Sequence, residues 1–285
     1  MQQNKLNPLS EIDAVPIFEE IQQELISLLK SLSQEEWDYD TSSTTWSVKD
    51  IAAHLLDGDL RRLSLHRDKH TLPEPSDPIH DYESLVTYLN EVNNRWINAA
   101  KRLSPTLIIE LTEFTTPKVV QHLQELDPNG AALFSVGWAG ENESRNWFDI
   151  AREYTEKWHH QQQIREAVGR PLLLQKRWLS PLICTLIRGV PPVYNTYVPY
   201  GIDETVKIYI SGVIDENWLL VFENGNWQLF KADHETPNTR IKIDDDTAWR
   251  IFTKSITEDE ALSKINITGN HELGRLIVKT VSFMK

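Results

Sequence analysis

Residues 41–59 read TSSTTWSVKDIAAHLLDGD, and the histidine inside that run decides how the chain is to be read. Ser47 has the chemistry of a helix N-cap, and Asp50 stands three residues on, the pattern of a capping box. A helix therefore opens after Trp46 and runs through VKDIAAHLLDGDLRRLSL. At ~100° per residue, Val48, Ile51, Ala52, Leu55 and Leu56 share its core side. His54 falls on the edge of that stripe, near Asp50, Asp57, Gly58 and Arg61. A histidine there reads either as a satisfied boundary residue or as a ligand, and Gly58 would leave open space beside the imidazole.

A second stretch raises the same question from the other end of the first half. Residues 154–165 read YTEKWHHQQQIR. Glu156 and His160 are four apart, so on a helix they share a face and their side chains can converge on one ion. His159, three residues from Glu156, is the near alternative. On the same wheel Trp147, Tyr154 and Trp158 gather on one side, with Asp149, Glu153, Glu156 and His160 opposite. The residues alone leave two readings open. The helix packs an aromatic stripe and wets an acidic face, or it carries half of a metal site whose other half is His54. Two histidines and a carboxylate on neighbouring helices are a common donor set for a divalent ion with open positions. Gln161 to Gln163 read as surface residues. His66, His70, His80, His122, His234 and His271 have no ligand-like partner at a useful spacing.

The composition bounds the rest. The 285 residues, 40% hydrophobic and 25% charged, suit a globular chain of two domains. No apolar run approaches the ~18 residues of a membrane span. The start, MQQNKLNPLSEIDAV, lacks the basic and apolar regions of a signal peptide, so the cytoplasm is the expected location. A formal charge of −13, from 42 acidic and 29 basic residues, speaks against a nucleic-acid binder. The single cysteine, Cys184, excludes a disulfide within the chain, and its apolar setting (SPLICTLI) suggests a buried structural thiol. No repeat, phosphate-binding glycine loop or nucleophile elbow is present.

The pattern changes part-way. Helical periodicity marks 11–32, 81–103 and 144–168 beside the helix after Trp46, with shorter helical pieces expected over 104–127; four long helices suggest a bundle. One more helix fits 175–189, with Pro191-Pro192 as a breaker. Strand-like runs follow (TVKIYISG, NWLLVFE, NWQLFKA), the last two joined by a hairpin turn at Glu223-Asn224-Gly225-Asn226. TRIKIDDDTAWRIFTK then reads as a strand entering a helix, an order that KINITG and HELGRLIVKTVSFM repeat. The expected domains are 1–172, a helical bundle, and 173–285, a small α+β domain.

The segment TSSTTWSVKDIAAHLLDGD resembles the signature of the DinB-like four-helix bundles, in particular the mycothiol-dependent maleylpyruvate isomerase family. In REYTEKWHHQQQIR, a glutamate followed four residues later by histidine resembles that family's second segment. The opening IDAVPIFEEIQQELISLLKSLSQEEWDYDT is similar to its first helix, and the C-terminal RIKIDDDTAWRIFTKSITEDEALSKINITGNHELGRLIVKTVSFM to its small, sterol-carrier-like α+β domain. The resemblance implies a metal held by His54, Glu156 and His160, with zinc the first expectation and nickel, iron or manganese as alternatives. His159, Gln163 and Asp57 would stand behind these ligands. Many members carry an aspartate where this chain has Gln163.

The resemblance further implies a small-molecule thiol of the mycothiol or bacillithiol kind as cosubstrate and an electrophilic substrate, with thiol-dependent isomerisation or S-transfer as the activity. Hydrolysis by metal-activated water and non-catalytic binding of an apolar ligand are the alternatives. An exposed helix face would permit a homodimer. Neither nucleic acid nor membrane is an expected partner.

Overall fold

The computed structural model describes residues 6–43, 45–73, 78–80, 82–200, 204–231 and 237–282; His234 lies outside them. Two compact units divide the chain. One comprises 13–134 with 144–173; the other comprises 1–12, 135–143 and 174–284. Two segments counted with the bundle from sequence thus group with the C-terminal unit.

The helical unit is built from α1 (Val15–Lys30), α2 (Val48–Arg61), α3 (Tyr82–Ala100), α4 (Pro105–Glu125) and α5 (Asn146–Ala167). Pro16 sits in the first turn of α1, where its missing N–H would have had no partner. The Ser47 hydroxyl accepts from the Asp50 backbone N–H, and the Asp50 carboxylate accepts from that of Ser47, so α2 starts with the capping box read from its sequence. α1 and α2 each pack against both α4 and α5, closing a four-helix ring, while α3 lies on α2. The core between them includes Leu25, Leu29, Trp37, Val48, Ile51, Leu55, Ile108 and Ile164. Each such side chain contributes about 1.5–3 kcal/mol when fully buried.

Two expectations are corrected here. Residues 104–127 form one helix of 21 residues and not shorter pieces, and it takes the ring position expected of 81–103. Pro117 lies inside it: one backbone bond is forgone, while Ser104 caps the start and Thr112, Thr115, Val119 and Leu123 bury a continuous face. At the other end of α2, the expected α-helical run becomes a π-helical turn over Arg62–Arg67.

The C-terminal unit carries α6 (Lys176–Leu186), α7 (Val190–Tyr197), α8 (Asp245–Phe252), α9 (Glu258–Lys264) and α10 (His271–Gly274) around one sheet. Its strands are β1 (Asn7–Pro8), β2 (Thr205–Ser211), β3 (Glu216–Glu223), β4 (Asn226–Lys231), β5 (Thr239–Asp244) and β6 (Asn266–Thr268), in the order β1-β4-β3-β2-β5-β6. Among the described residues only the β2–β5 pair is parallel. Val206, Ile208 and Ile210 alternate inward on β2, as do Ile241 and Ile243 on β5. The hairpin turn falls at Asn224 (φ 53) and Gly225 (φ 83), both left-handed as a tight two-residue turn requires. Pro191 and Pro192 do not break a helix; they occupy the first turn of α7, where proline is accommodated.

Candidate metal centre

His54 projects from α2, and Glu156 and His160 project from α5, which packs on α2. One ligand atom from each residue lies within 4.8 Å of the other two. The imidazole centroids of His54 and His160 are 4.8 Å apart and nearly perpendicular, and His160 Nε2 stands 3.4 Å from Glu156 Oε2. The Trp46 indole closes one side, 4.9 Å from the His54 ring and 6.1 Å from that of His160. The acidic face of α5 is therefore not wetted: His160 is buried, and the Glu156 side chain keeps only 19% of its exposure.

The donor set fits a divalent ion. His54 Nδ1 is buried with no hydrogen-bond partner, which leaves it free to serve as a ligand atom. Burial, helped by the nearby His160, Arg61 and Lys157, holds the His54 pKa well below its ordinary value, so the ring is neutral and its lone pair is available. His160 Nδ1 lies 2.8 Å from Gln163 Oε1, which accepts the ring N–H and turns Nε2 toward Glu156. Of the other two residues expected behind the ligands, His159 is buried with its ring 5.5 Å from that of His160, outside the donor cluster. Asp57 is drawn to Arg61, 2.9 Å away on the same helix, and takes no part in the cluster. The open space expected at Gly58 is shallow, because a Cβ there would stand 3.3 Å from Glu153 Oε1.

The profile of the mycothiol maleylpyruvate isomerase N-terminal domain matches residues 18–165, over half of the chain, and the match spans all three donors. The chain belongs to that family. Among solved structures it is similar to mycothiol-dependent maleylpyruvate isomerase (11% identity, 83% of this chain and 86% of that one, TM-score 0.50). A histidine-to-alanine mutant of the same enzyme matches with TM-score 0.51 at the same identity and coverage. At this identity the likeness is one of fold. Sterol carrier protein-2 from Aedes aegypti, with palmitate, matches at 19% identity over 36% of this chain and 96% of that one, with a TM-score of only 0.29. No curated protein matches the chain significantly.

In this maleylpyruvate isomerase-type bundle the helices that carry the donors also carry residues whose role their sequence spacing did not disclose. Gln161 to Gln163 are not on the surface: exposure is 0%, 0% and 4%. Gln161 donates to Ile21 O and accepts from Arg165, and Gln162 accepts from Leu173 N–H. One turn before the donors lies a buried layer of charge. Asp59 accepts from Lys157 (2.6 Å), from Gln22 and from Thr115, and Lys157 also donates to Leu55 O. Arg62 and Arg152 pair with Asp149 (2.6 and 2.7 Å) and with Glu153 (3.4 and 3.5 Å). Beside Arg62, the buried rings of His66 and His122 meet edge to face at 4.8 Å. These two histidines have partners after all, supplied by helices that are far apart in sequence.

Cys184, in the other unit, is half-buried and not fully enclosed. Burial and Glu216 push its thiol pKa up against the opposing charges of Lys231 and Arg188, so the thiol form is favoured. Among the described residues no helix is long and apolar enough to cross a membrane.

Proposed function

We propose that the chain is a metal-dependent enzyme of the thiol-transfer and isomerisation class, with His54, Glu156 and His160 as its metal ligands. The observation that carries this reading is the convergence of three donor atoms from two helices within 4.8 Å, in a chain of this family. Two neutral imidazoles and one carboxylate would leave a divalent ion with about one net positive charge and with open positions, the signature of a working and not a closed structural site. Zinc is the first choice for such donors, and nickel, iron and manganese accept the same set. A divalent ion held there would favour the deprotonated form of a small-molecule thiol.

The chain's own residues do the rest of the site's work. Glu156 supplies the compensating negative charge, Gln163 fixes the orientation of His160, and Trp46 walls one side of the donors. The thiolate sulfur would bond to one carbon of an activated double bond, its π pair passing to the activating group. Isomerisation would follow by rotation and expulsion of the same thiolate. S-transfer would keep the sulfur while a proton is added or a leaving group departs with its bonding pair. The partners in this reading are a small thiol of the mycothiol or bacillithiol kind and an electrophile. Cys184 has no role in it, since burial disfavours its thiolate.

The test begins with metal content in protein purified without added metal or an affinity tag, beside His54→Ala and His160→Ala. About one transition metal per chain, lost in both variants, supports the site, and a screen of thiols against electrophilic double bonds then follows. No metal as purified and no uptake of zinc or nickel on titration would overturn the reading.

A further inference from the structure

We propose that Gln163 is a positioning residue that sets the metal affinity of the site through the tautomer of His160; this rests on the metal reading above. An imidazole offers a lone pair at only one nitrogen when neutral, and the partner of the other nitrogen decides which one. Gln163 Oε1 sits 2.8 Å from His160 Nδ1, so the proton is held at Nδ1 and the lone pair is left at Nε2, the atom 3.4 Å from Glu156 Oε2. The contact is built into α5, because residues three apart on a helix lie side by side. Its setting is rigid: Gln163 is buried, and the two preceding glutamines tie the same turn to Ile21 O and Leu173 N–H.

A carboxamide and a carboxylate would both select this tautomer, but with different consequences. A carboxylate at the same place would add a second negative charge behind the ligands, raise the basicity of the imidazole and tighten the hold on a cation. Gln163 adds none. It therefore fixes the ligand geometry while leaving the ion more electron-poor, weaker in its hold but more attractive to an anionic fourth ligand such as a thiolate.

The experiment measures zinc affinity of metal-stripped protein by competition with a chromophoric chelator, for wild type, Gln163→Leu and Gln163→Asp. Long-range 1H–15N correlation spectra of the zinc-free proteins report the His160 tautomer. The expected result is a loss of roughly 10–100-fold in affinity for Gln163→Leu, the range typical for removing such a support, with the Nδ1–H tautomer no longer fixed. Gln163→Asp should keep the tautomer and bind zinc more tightly than wild type, which separates positioning from a general loss of structure. If wild type binds zinc in a way that His54→Ala abolishes, while Gln163→Leu binds no more weakly and keeps the tautomer, this proposal alone falls. If wild type takes up no zinc, it falls together with the metal reading.

Discussion

Two polar clusters lie one helical turn apart along α5, and both draw on α2, yet their chemistry differs. In the charged layer, three cations (Arg62, Arg152, Lys157) meet three anions (Asp59, Asp149, Glu153), with Gln22 and Thr115 supplying further bonds to Asp59. In the donor cluster one carboxylate stands with two imidazoles, and His54 Nδ1 has no partner. A layer whose charges close on themselves is a structural element. A cluster of two imidazoles and one carboxylate, with a buried nitrogen that has no hydrogen-bond partner, has the donors and the charge to take a cation. Burial alone does not tell the two apart; the balance of donors and charges does.

The largest effect that tests this contrast is on the charged layer. Lys157→Met strands Asp59 in the bundle and should destabilise the protein by about 3–5 kcal/mol, the cost typical of breaking a buried pair, with much of it recovered in Lys157→Met/Asp59→Leu. Urea unfolding of the two variants checks this; a single variant as stable as wild type would show that the layer is not closed. The donor cluster should behave in the opposite manner. Zinc at 100 times its dissociation constant should stabilise wild type by about 2.7 kcal/mol, an increment absent in His54→Ala, while zinc-free His54→Ala should lose less stability than Lys157→Met. A zinc-induced shift of the same size in the variant would remove His54 from the ligand set.

The next effect concerns pH, and its sign follows from two groups, one beside the charged layer and one within it. Burial, then the charges of Arg62, His122 and Lys69, lower the His66 pKa from 6.5 to about 4. Between those values the unfolded chain binds a proton that the folded chain refuses, so stability is complete above pH 6.5 and falls as pH drops toward about 4. Asp149 acts at lower pH. Burial pushes its carboxyl up, but Arg152 and Arg62 outweigh that and hold it at about 2, so its contribution is present above 3.8 and is lost toward about 2. Unfolding midpoints across this range should decline in two stages. His54 and His122, whose pKa values burial also lowers, share the upper stage. His66→Phe should therefore reduce that stage in part and leave the lower one unchanged.

How far the sequence could be read depends on the range of the interaction involved. The capping box at Ser47 and Asp50, the Asn224-Gly225 hairpin and the change from helical to strand periodicity are local, and each appears in the structure as read. His54, Glu156 and His160 could be paired only through a family resemblance, because a hundred residues separate the halves of the site. The charged layer was missed for the same reason. Asp149 and Glu153 look like a wetted face until Arg62, 87 and 91 residues away, is placed against them. Gln161 to Gln163 carry no signal in their own composition; their partners are Ile21 O, Leu173 N–H and His160. Pro191-Pro192 misled because proline acts by its position in a helix, which sequence alone leaves open.

The smallest expected effect sharpens the contrast most directly, because it reports from inside the donor cluster and from nowhere in the charged layer. The Trp46 ring lies tilted against His54 at 4.9 Å and is 6.1 Å from His160, so an ion held by both histidines would sit beside its indole. Nickel or copper, which quench nearby indoles, should lower the intrinsic fluorescence of wild type by a modest fraction, since Trp46 is one of ten tryptophans. The saturating part of that drop should vanish in Trp46→Phe, which keeps every ligand, and in His160→Ala, which keeps the indole. Loss in only the histidine variant would mean that the ion is bound but that another tryptophan reports it. Loss in neither would place the ion elsewhere, and the orphaned His54 Nδ1 would then need a different partner.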